Sequence, residues 1–251
     1  MAMDNKELAI YDDEKFFNNY IDLRNAQNNY NDMIEQPIVF ALLGDTAGKT
    51  VMDIGCGYGA MTIKIANQGA KRVFGIDVSE KMIEKGKREN PHENIEYRVM
   101  SAEELACLGE KFDVVVSCLA LHYIEDFGKL FQDIYNLLND QGRFVFSMEH
   151  PVYTASKFTQ KWIDGPDGRA AAFVMDHYGE EGVRNIEWLE KSVTKYHHKV
   201  DTVFNCLIDA GFVFEKVIEP SPDEALIQRV PRTAHELHRP AYLIVKCRKG
   251  S

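Results

Sequence analysis

Several features that would settle a function are missing from this sequence. None of its apolar runs approaches the roughly 18 residues needed to cross a bilayer, so no membrane partner is expected. The five cysteines, Cys56, Cys107, Cys118, Cys206 and Cys247, form no Cys-x-x-Cys pair and no Cys/His cluster at metal-ligand spacing. That argues against a disulfide framework or a zinc site and suits free thiols in a reducing compartment. Basic runs are scarce too. The formal net charge is −10, and Lys71-Arg72 and Lys85 to Arg88 lie beside acidic neighbours as solvated surface. A phosphate backbone would be repelled, which excludes nucleic acid as an expected partner. Near the start stand Asp4, Glu7, Asp12, Asp13 and Glu14, where a secretory signal would show a basic and then an apolar stretch, so a cytoplasmic location is expected. No internal repeat or low-complexity segment is evident.

What is present can build one substantial core: 251 residues, 45% of them hydrophobic, suit a single domain with additions. Between residues 50 and 148 short β-rich runs alternate with helical periods. Strands are expected at Thr50 to Ile54, Arg72 to Ile76, Asn94 to Val99, Phe112 to Ser117 and Arg143 to Met148. Helices fill Gly59 to Asn67, Ser79 to Asn90 and Asp126 to Leu138, the last with Asp126 as N-cap and Gly142 just beyond its end. This alternation is the signature of a doubly wound, mostly parallel α/β sheet covered on both faces.

Past the fifth strand the pattern breaks. Residues 151–199 are rich in aromatic, His, Gly and charged residues without a sustained period, and read as an insertion. A helix begins at Val200, with Gly211 as its stop, and two more strands follow at Phe212 to Ile218 and Ala241 to Lys246. Residues 1–48 are polar and aromatic, with helices expected at Asp13 to Gln27 and Asn31 to Leu43. They form either a cap on the sheet edge or a lid over a ligand.

The decisive stretch is Val51-Met52-Asp53-Ile54-Gly55-Cys56-Gly57-Tyr58-Gly59, an apolar strand running into three glycines at alternate positions and then a helix. Glycines there permit a sharp turn and let a ligand lie against main-chain atoms. Asp77 closes the second strand 18 positions after Gly59, where a carboxylate can accept from both hydroxyls of a ribose. A dinucleotide fingerprint reads G-x-G-x-x-G, whereas Gly55, Gly57 and Gly59 are two apart, which disfavours a nicotinamide-dependent oxidoreductase. Asp53 would be a poor neighbour for a pyrophosphate and a reasonable one for a ligand carrying an ammonium and a sulfonium.

With these motifs the chain resembles the class I S-adenosylmethionine-dependent methyltransferases, well over residues 35–150 and in outline at the C-terminal strands. The resemblance implies a Rossmann-like sheet of seven strands with the last antiparallel. It also implies S-adenosylmethionine as cofactor, with its methionine part held by Asp53, Gly55, Cys56, Gly57 and Gly59, its ribose by Asp77, and its adenine by Val78 and Met82. Ser101-Ala102-Glu103 occupies the place of the family's acidic-Ala-Glu segment after strand three. Ser101 departs from that pattern, so the main-chain contact from Ala102 is the one expected to survive. Ser117 and Leu119, at the end of the fourth strand, are the remaining expected cofactor contacts.

Methyl transfer from a sulfonium is an in-line displacement, so alignment and exclusion of water are the main tasks, and a base is optional. His150 and Tyr153 leave the carboxyl end of the fifth strand, where ligands collect in open α/β folds, and are the first candidates to act on an acceptor. His150, which precedes Pro151, is equally explicable by a tight turn; His122, after the fourth strand, is a further catalytic candidate but reads first as a polar core or helix-start residue. Trp162, Tyr178, Trp188, His197 and His198 either line an acceptor pocket or pack the insert onto the sheet. The adjacent His197 and His198 lack ligand spacing plus a third donor, so no metal is expected. The expected activity is methylation of a small-molecule acceptor, with a cofactor-binding module lacking turnover as the alternative.

Overall fold

The central strands carry β-branched and aromatic side chains that alternate between two faces, and each face is covered. This computed structural model describes residues 9–157, 161–166 and 170–250. Its parallel strands are β1 (Thr50–Ile54), β2 (Arg72–Asp77), β3 (Ile95–Val99), β4 (Phe112–Cys118) and β5 (Leu138–Glu149). The insert contributes two separate hairpins, β6 (Lys161–Asp164) with β7 (Ala170–Val174) and β8 (Gly182–Trp188) with β9 (Lys191–His197). β10 (Phe212–Ile218) and β11 (Tyr242–Lys249) complete a seven-stranded sheet in the order β10-β11-β5-β4-β1-β2-β3, in which β11 runs antiparallel to both neighbours. The expected fold class is the one observed.

Helices α1 (Glu14–Asn25), α2 (Gln36–Leu43), α3 (Ala60–Asn67), α4 (Glu80–Glu89), α5 (Phe127–Leu137), α6 (Pro151–Thr154), α7 (Val200–Asp209) and α8 (Glu224–Arg229) surround it. One face of the sheet is aromatic: Phe74, Phe112, Phe144 and Phe146 pack with Phe127 and Phe131 of α5 and Val203 and Leu207 of α7. The other is smaller and β-branched, with Val51, Val73, Val114, Val116 and Val145 against Met61 and Ile65 of α3 and Val39 and Leu43 of α2. The second half of the N-terminal segment is therefore a structural layer of the sheet rather than a cap.

The helix expected at Asn31 to Leu43 is present, its first part Asn31–Glu35 wound as a wide π-helical turn that runs directly into α2, because Pro37 has no N–H for a regular bond one turn back. Two other local expectations are corrected. β5 begins at Leu138 directly after α5, with a register irregularity: Phe112 faces Leu138, and Val114 faces Arg143. Gly142 thus lies inside a bulged strand and is not a helix stop. The insert, read as aperiodic, contains β8 and β9 joined at Leu189-Glu190, both with positive φ (50° and 65°). Such a turn normally announces itself with Asn or Gly, and neither is present.

Candidate active site

The sheet reverses its winding between β1 and β4, and a crevice opens at the carboxyl ends of these strands, where doubly wound folds take ligands. The loops after them approach closely: a Cβ on Gly55 would stand 2.3 Å from that of Ala120. Gly55, Gly57 and Gly59 all have positive φ, and a Cβ on Gly57 would meet nothing within 4 Å, which leaves open space there, whereas Gly59 is absent from the crevice lining and a Cβ on it would run into the Tyr97 ring. Leu119 follows β4 with φ of 52°, a strained value for a branched residue, held by hydrogen bonds from its amide to Ser147 O and Oγ, each 3.0 Å.

Both expected carboxylates line this crevice. Asp77 accepts from the amides of Gly57 and Ser79, each at 2.9 Å. Burial pushes its carboxyl up to about 6 against these two hydrogen bonds. Asp53 accepts from Thr62 Oγ1 at 2.7 Å, while its Oδ1 is buried with no hydrogen-bond partner among the described residues. Burial lifts Asp53 to about 7, opposed by Thr62 and reinforced by the charges of Asp77 and Glu35. An orphaned buried carboxylate oxygen beside an open glycine loop fits a ligand that brings both a cation and an extended backbone-hugging chain.

Cys56, Val78, Met82, Ser101, Ala102 and Leu119 also line the crevice. Ser101 spends its hydroxyl as a cap, accepting from the Glu103 amide at 3.2 Å, while Glu104 reaches back to the Ser101 amide. Ser117 and Glu103 are corrections. Ser117 is fully buried, is absent from the crevice lining and spends its hydroxyl on Ile54 O of the neighbouring strand at 2.9 Å. Glu103 is exposed and absent from the crevice lining, and its main-chain carbonyl accepts from Lys129 Nζ.

A second cavity of about 860 Å³ adjoins the first. The two share Tyr11, Tyr20, Arg24, Asn31, Leu119 and Tyr123, so the N-terminal segment stands at their junction. Its walls include Tyr153, Trp188 and Lys195 from the insert and Arg239 and Tyr242 near the C-terminus. Lys195 Nζ pairs with Glu149 Oε1 at 2.6 Å and lies over the rings of Trp188 and Tyr123. Burial works most strongly against both charges of that pair, yet the partner's charge and hydrogen bond together with neighbouring groups outweigh it: Glu149, also near His122 and Arg239, is held below the usual carboxylate range and Lys195, also near Tyr123 and Tyr153, above the usual ammonium range. Arg239 sits against Tyr153, Trp162 and Phe173, its guanidinium carbon 4.1 to 5.3 Å from the ring centroids.

His122 lines this second cavity, but its geometry assigns it a different part from a base. Its Nδ1 accepts from the Glu149 amide at 3.3 Å, which leaves the ring proton on Nε2. Burial depresses its pKa to about 4, with Glu149 opposing and Lys195 assisting. His150 is outside both cavities. It caps α6 by accepting from the Val152 amide at 3.0 Å, and its Nε2 faces Glu219 at 2.7 Å. The proline that follows it starts that helix, so the turn reading prevails. His197 bonds Thr154 and Tyr178, and His198 stacks on Phe127 and bonds Ile124 O.

Sequence reading missed Glu35, Lys195, Arg24 and the N-terminal tyrosines. No local pattern marks them, since each gains its place from long-range packing. Among the described residues no group of three or more His, Cys, Asp or Glu is arranged to hold a metal, and no helix is long and apolar enough to cross a membrane.

The crevice, its glycine loop and the antiparallel last strand define a Rossmann-like methyltransferase. A family model described as a methyltransferase domain matches residues 52–146. Across 255 residues the chain is 34% identical to an uncharacterized protein of Haemophilus influenzae, covering 98% of both. A solved S-adenosylmethionine dependent methyltransferase from Mesorhizobium loti is 38% identical with a TM-score of 0.79, covering 86% of this chain and 97% of that one. A juvenile hormone acid O-methyltransferase of Bombyx mori is 34% identical over 127 residues, 46% of this chain and 45% of its own. The chain belongs to the class I S-adenosylmethionine-dependent methyltransferases, an enzyme family whose cofactor is S-adenosylmethionine, and the nicotinamide reading is set aside.

Proposed function

We propose that the enzyme methylates an oxygen of a small-molecule acceptor seated in the second cavity, with the first half of the N-terminal segment, through α1, and the insert acting as the lid. The observation that carries this reading is the junction of the two cavities at Leu119 and Tyr123, which sets a ligand in one against a ligand in the other. In the crevice, Asp77 takes the ribose hydroxyls, Val78 and Met82 pack the adenine, the Gly55 to Gly59 loop follows the methionine part and Asp53 accepts from its ammonium. When bound, S-adenosylmethionine supplies a methyl already activated on a sulfonium. The chain's own work is then alignment and the exclusion of water.

Several features favour oxygen as the nucleophile. Lys195 and Arg239, although balanced by Glu149 and Glu236 on the same wall, bring cationic N–H donors to the cavity that can hydrogen-bond an acceptor oxygen carrying or developing negative charge. His122, neutral and donating from Nε2, orients the acceptor and does not take its proton. Tyr153 and Trp188 offer flat apolar surface for a ring or chain. The Bombyx relative, named for O-methylation, agrees over the part it shares. All five cysteines are free, in keeping with a reducing, cytoplasmic setting.

The test is incubation of the purified enzyme with methyl-labelled S-adenosylmethionine and a panel of phenols, carboxylic acids and amines, with products identified by mass spectrometry. Label on phenolic or carboxylate oxygen is expected. Label confined to amines would overturn the reading.

A further inference from the structure

The wide turn Asn31–Glu35 delivers a carboxylate to the crevice from outside the glycine loop. Glu35 is fully buried and lines the crevice. Its Oε1 accepts from Ser147 Oγ at 2.5 Å and the Cys118 thiol is a neighbour, but its Oε2 is buried with no hydrogen-bond partner among the described residues. Asp53 Oδ1 is in the same condition, and the charge of Glu35 is felt at Asp53.

The cations within reach are already engaged. Arg24 donates to Asn29 and Asp32 at 3.1 and 2.9 Å, and Lys64 to Gln36 at 2.6 Å. Two buried carboxylates without a cation are costly, because each has lost water and gained only part of its hydrogen bonds. A divalent metal would want about six oxygens, more than this pair offers. An ammonium group, with a single charge and three donors, matches two orphaned oxygens.

We infer that Glu35 joins Asp53 in holding the α-ammonium of the cofactor's methionine part, so that seating of the N-terminal segment and cofactor binding are one event. This rests on the crevice being the cofactor site. The route from Glu35 continues through Ser147 Oγ to the amide of Leu119, so the same contact braces the strained residue at the junction of the cavities.

A proton is linked to this step. Burial raises both Asp53, to about 7, and Glu35. The groups facing the pair are Thr62, Asp77, Cys118, Lys64 and Arg24, and in their field it retains a proton near neutrality when no cation is present. A bound ammonium favours the ionised form and expels that proton. Affinity therefore rises as pH increases through about 7 and falls below it.

Calorimetry with two ligands tests this. S-adenosylhomocysteine carries the ammonium without the sulfonium, and 5′-methylthioadenosine lacks the amino-acid part. Glu35→Gln is expected to weaken the first by about tenfold or more and to leave the second unchanged. The wild-type protein should release protons on binding S-adenosylhomocysteine near pH 7, read from buffers of differing ionisation enthalpy, and Glu35→Gln should release fewer. Glu35→Asp, which keeps the charge, should restore proton release. Equal loss for both ligands, no loss for S-adenosylhomocysteine, or binding by the wild type without proton release would each overturn the role of Glu35. Failure of the wild type to bind either ligand would instead overturn the crevice assignment.

Discussion

Asp77 Oδ2 accepts from the Gly57 amide at 2.9 Å, tying the end of β2 to the glycine loop after β1. The carboxylate proposed for the ribose thus also fixes the loop proposed for the methionine part. Asp77→Ala is expected to weaken S-adenosylmethionine binding by about 1 to 3 kcal/mol through loss of a charged acceptor. Unchanged affinity by calorimetry would remove Asp77 from the site.

Two glycines of the loop should respond differently. At Gly57 an added Cβ meets nothing within 4 Å, so Gly57→Ala carries only the cost of positive φ, roughly 1 to 2 kcal/mol, and should fold while losing cofactor affinity. At Gly55 the Cβ would collide with Ala120 at 2.3 Å, so Gly55→Ala should lower the unfolding midpoint further. Denaturant titration beside a binding assay separates the two. A Gly57→Ala protein with normal affinity would count against the loop.

Lys195 and Glu149 form a buried pair at the cavity wall. Lys195→Met leaves an uncompensated buried carboxylate and should cost about 3 to 5 kcal/mol of stability, much of it recovered in the Lys195→Met/Glu149→Gln double variant. If the double variant is no more stable than the single, the pair is not what stabilises this wall.

Protonation of buried histidines should weaken the fold as pH falls, while protonation of the raised carboxyls Asp53 and Asp77 over an overlapping range acts in the opposite direction. His122 has a folded pKa of about 4, below the unfolded value of about 6.5, so its contribution is present above about 6.5 and is lost as pH falls toward 4. Burial lowers His150, His197 and His198 in the same direction. The unfolding free energy of the wild type relative to His122→Gln should therefore decline from about pH 6.5 toward 4. A pH-independent difference between the two proteins would contradict it.

His150 is expected to act on stability rather than turnover. Loss of its cap on α6 should cost about 1 kcal/mol, with kcat for a methylated acceptor unchanged in His150→Ala. A selective fall in kcat would return it to the chemistry. Tyr153, which lines the second cavity, proposed to seat the acceptor, is the residue of that segment whose removal should raise KM.

The sequence alone determined the alternating strands and helices, two further strands in the tail, and a glycine loop followed by an acidic strand end, while the antiparallel course of the last strand came from the family resemblance. The strands, helices and loop are written in local periods and turn residues, whose physics acts over a few neighbours. β1 was legible to the residue because apolar alternation and a glycine stop coincide there. The β8–β9 hairpin was not, since its Leu189-Glu190 turn is held in positive φ by the surrounding strands and not by residues that prefer it. Only the tertiary structure decided that His150 turns away to Glu219, that Ser117 is fully buried and absent from the crevice lining, and that Lys195 meets Glu149 across 46 positions of chain. It likewise brought Glu35 to the crevice beside Asp53. A carboxylate in a polar helical segment has no local mark of its fate: whether it faces water or an orphaned partner is set by which buried surfaces the whole fold brings together.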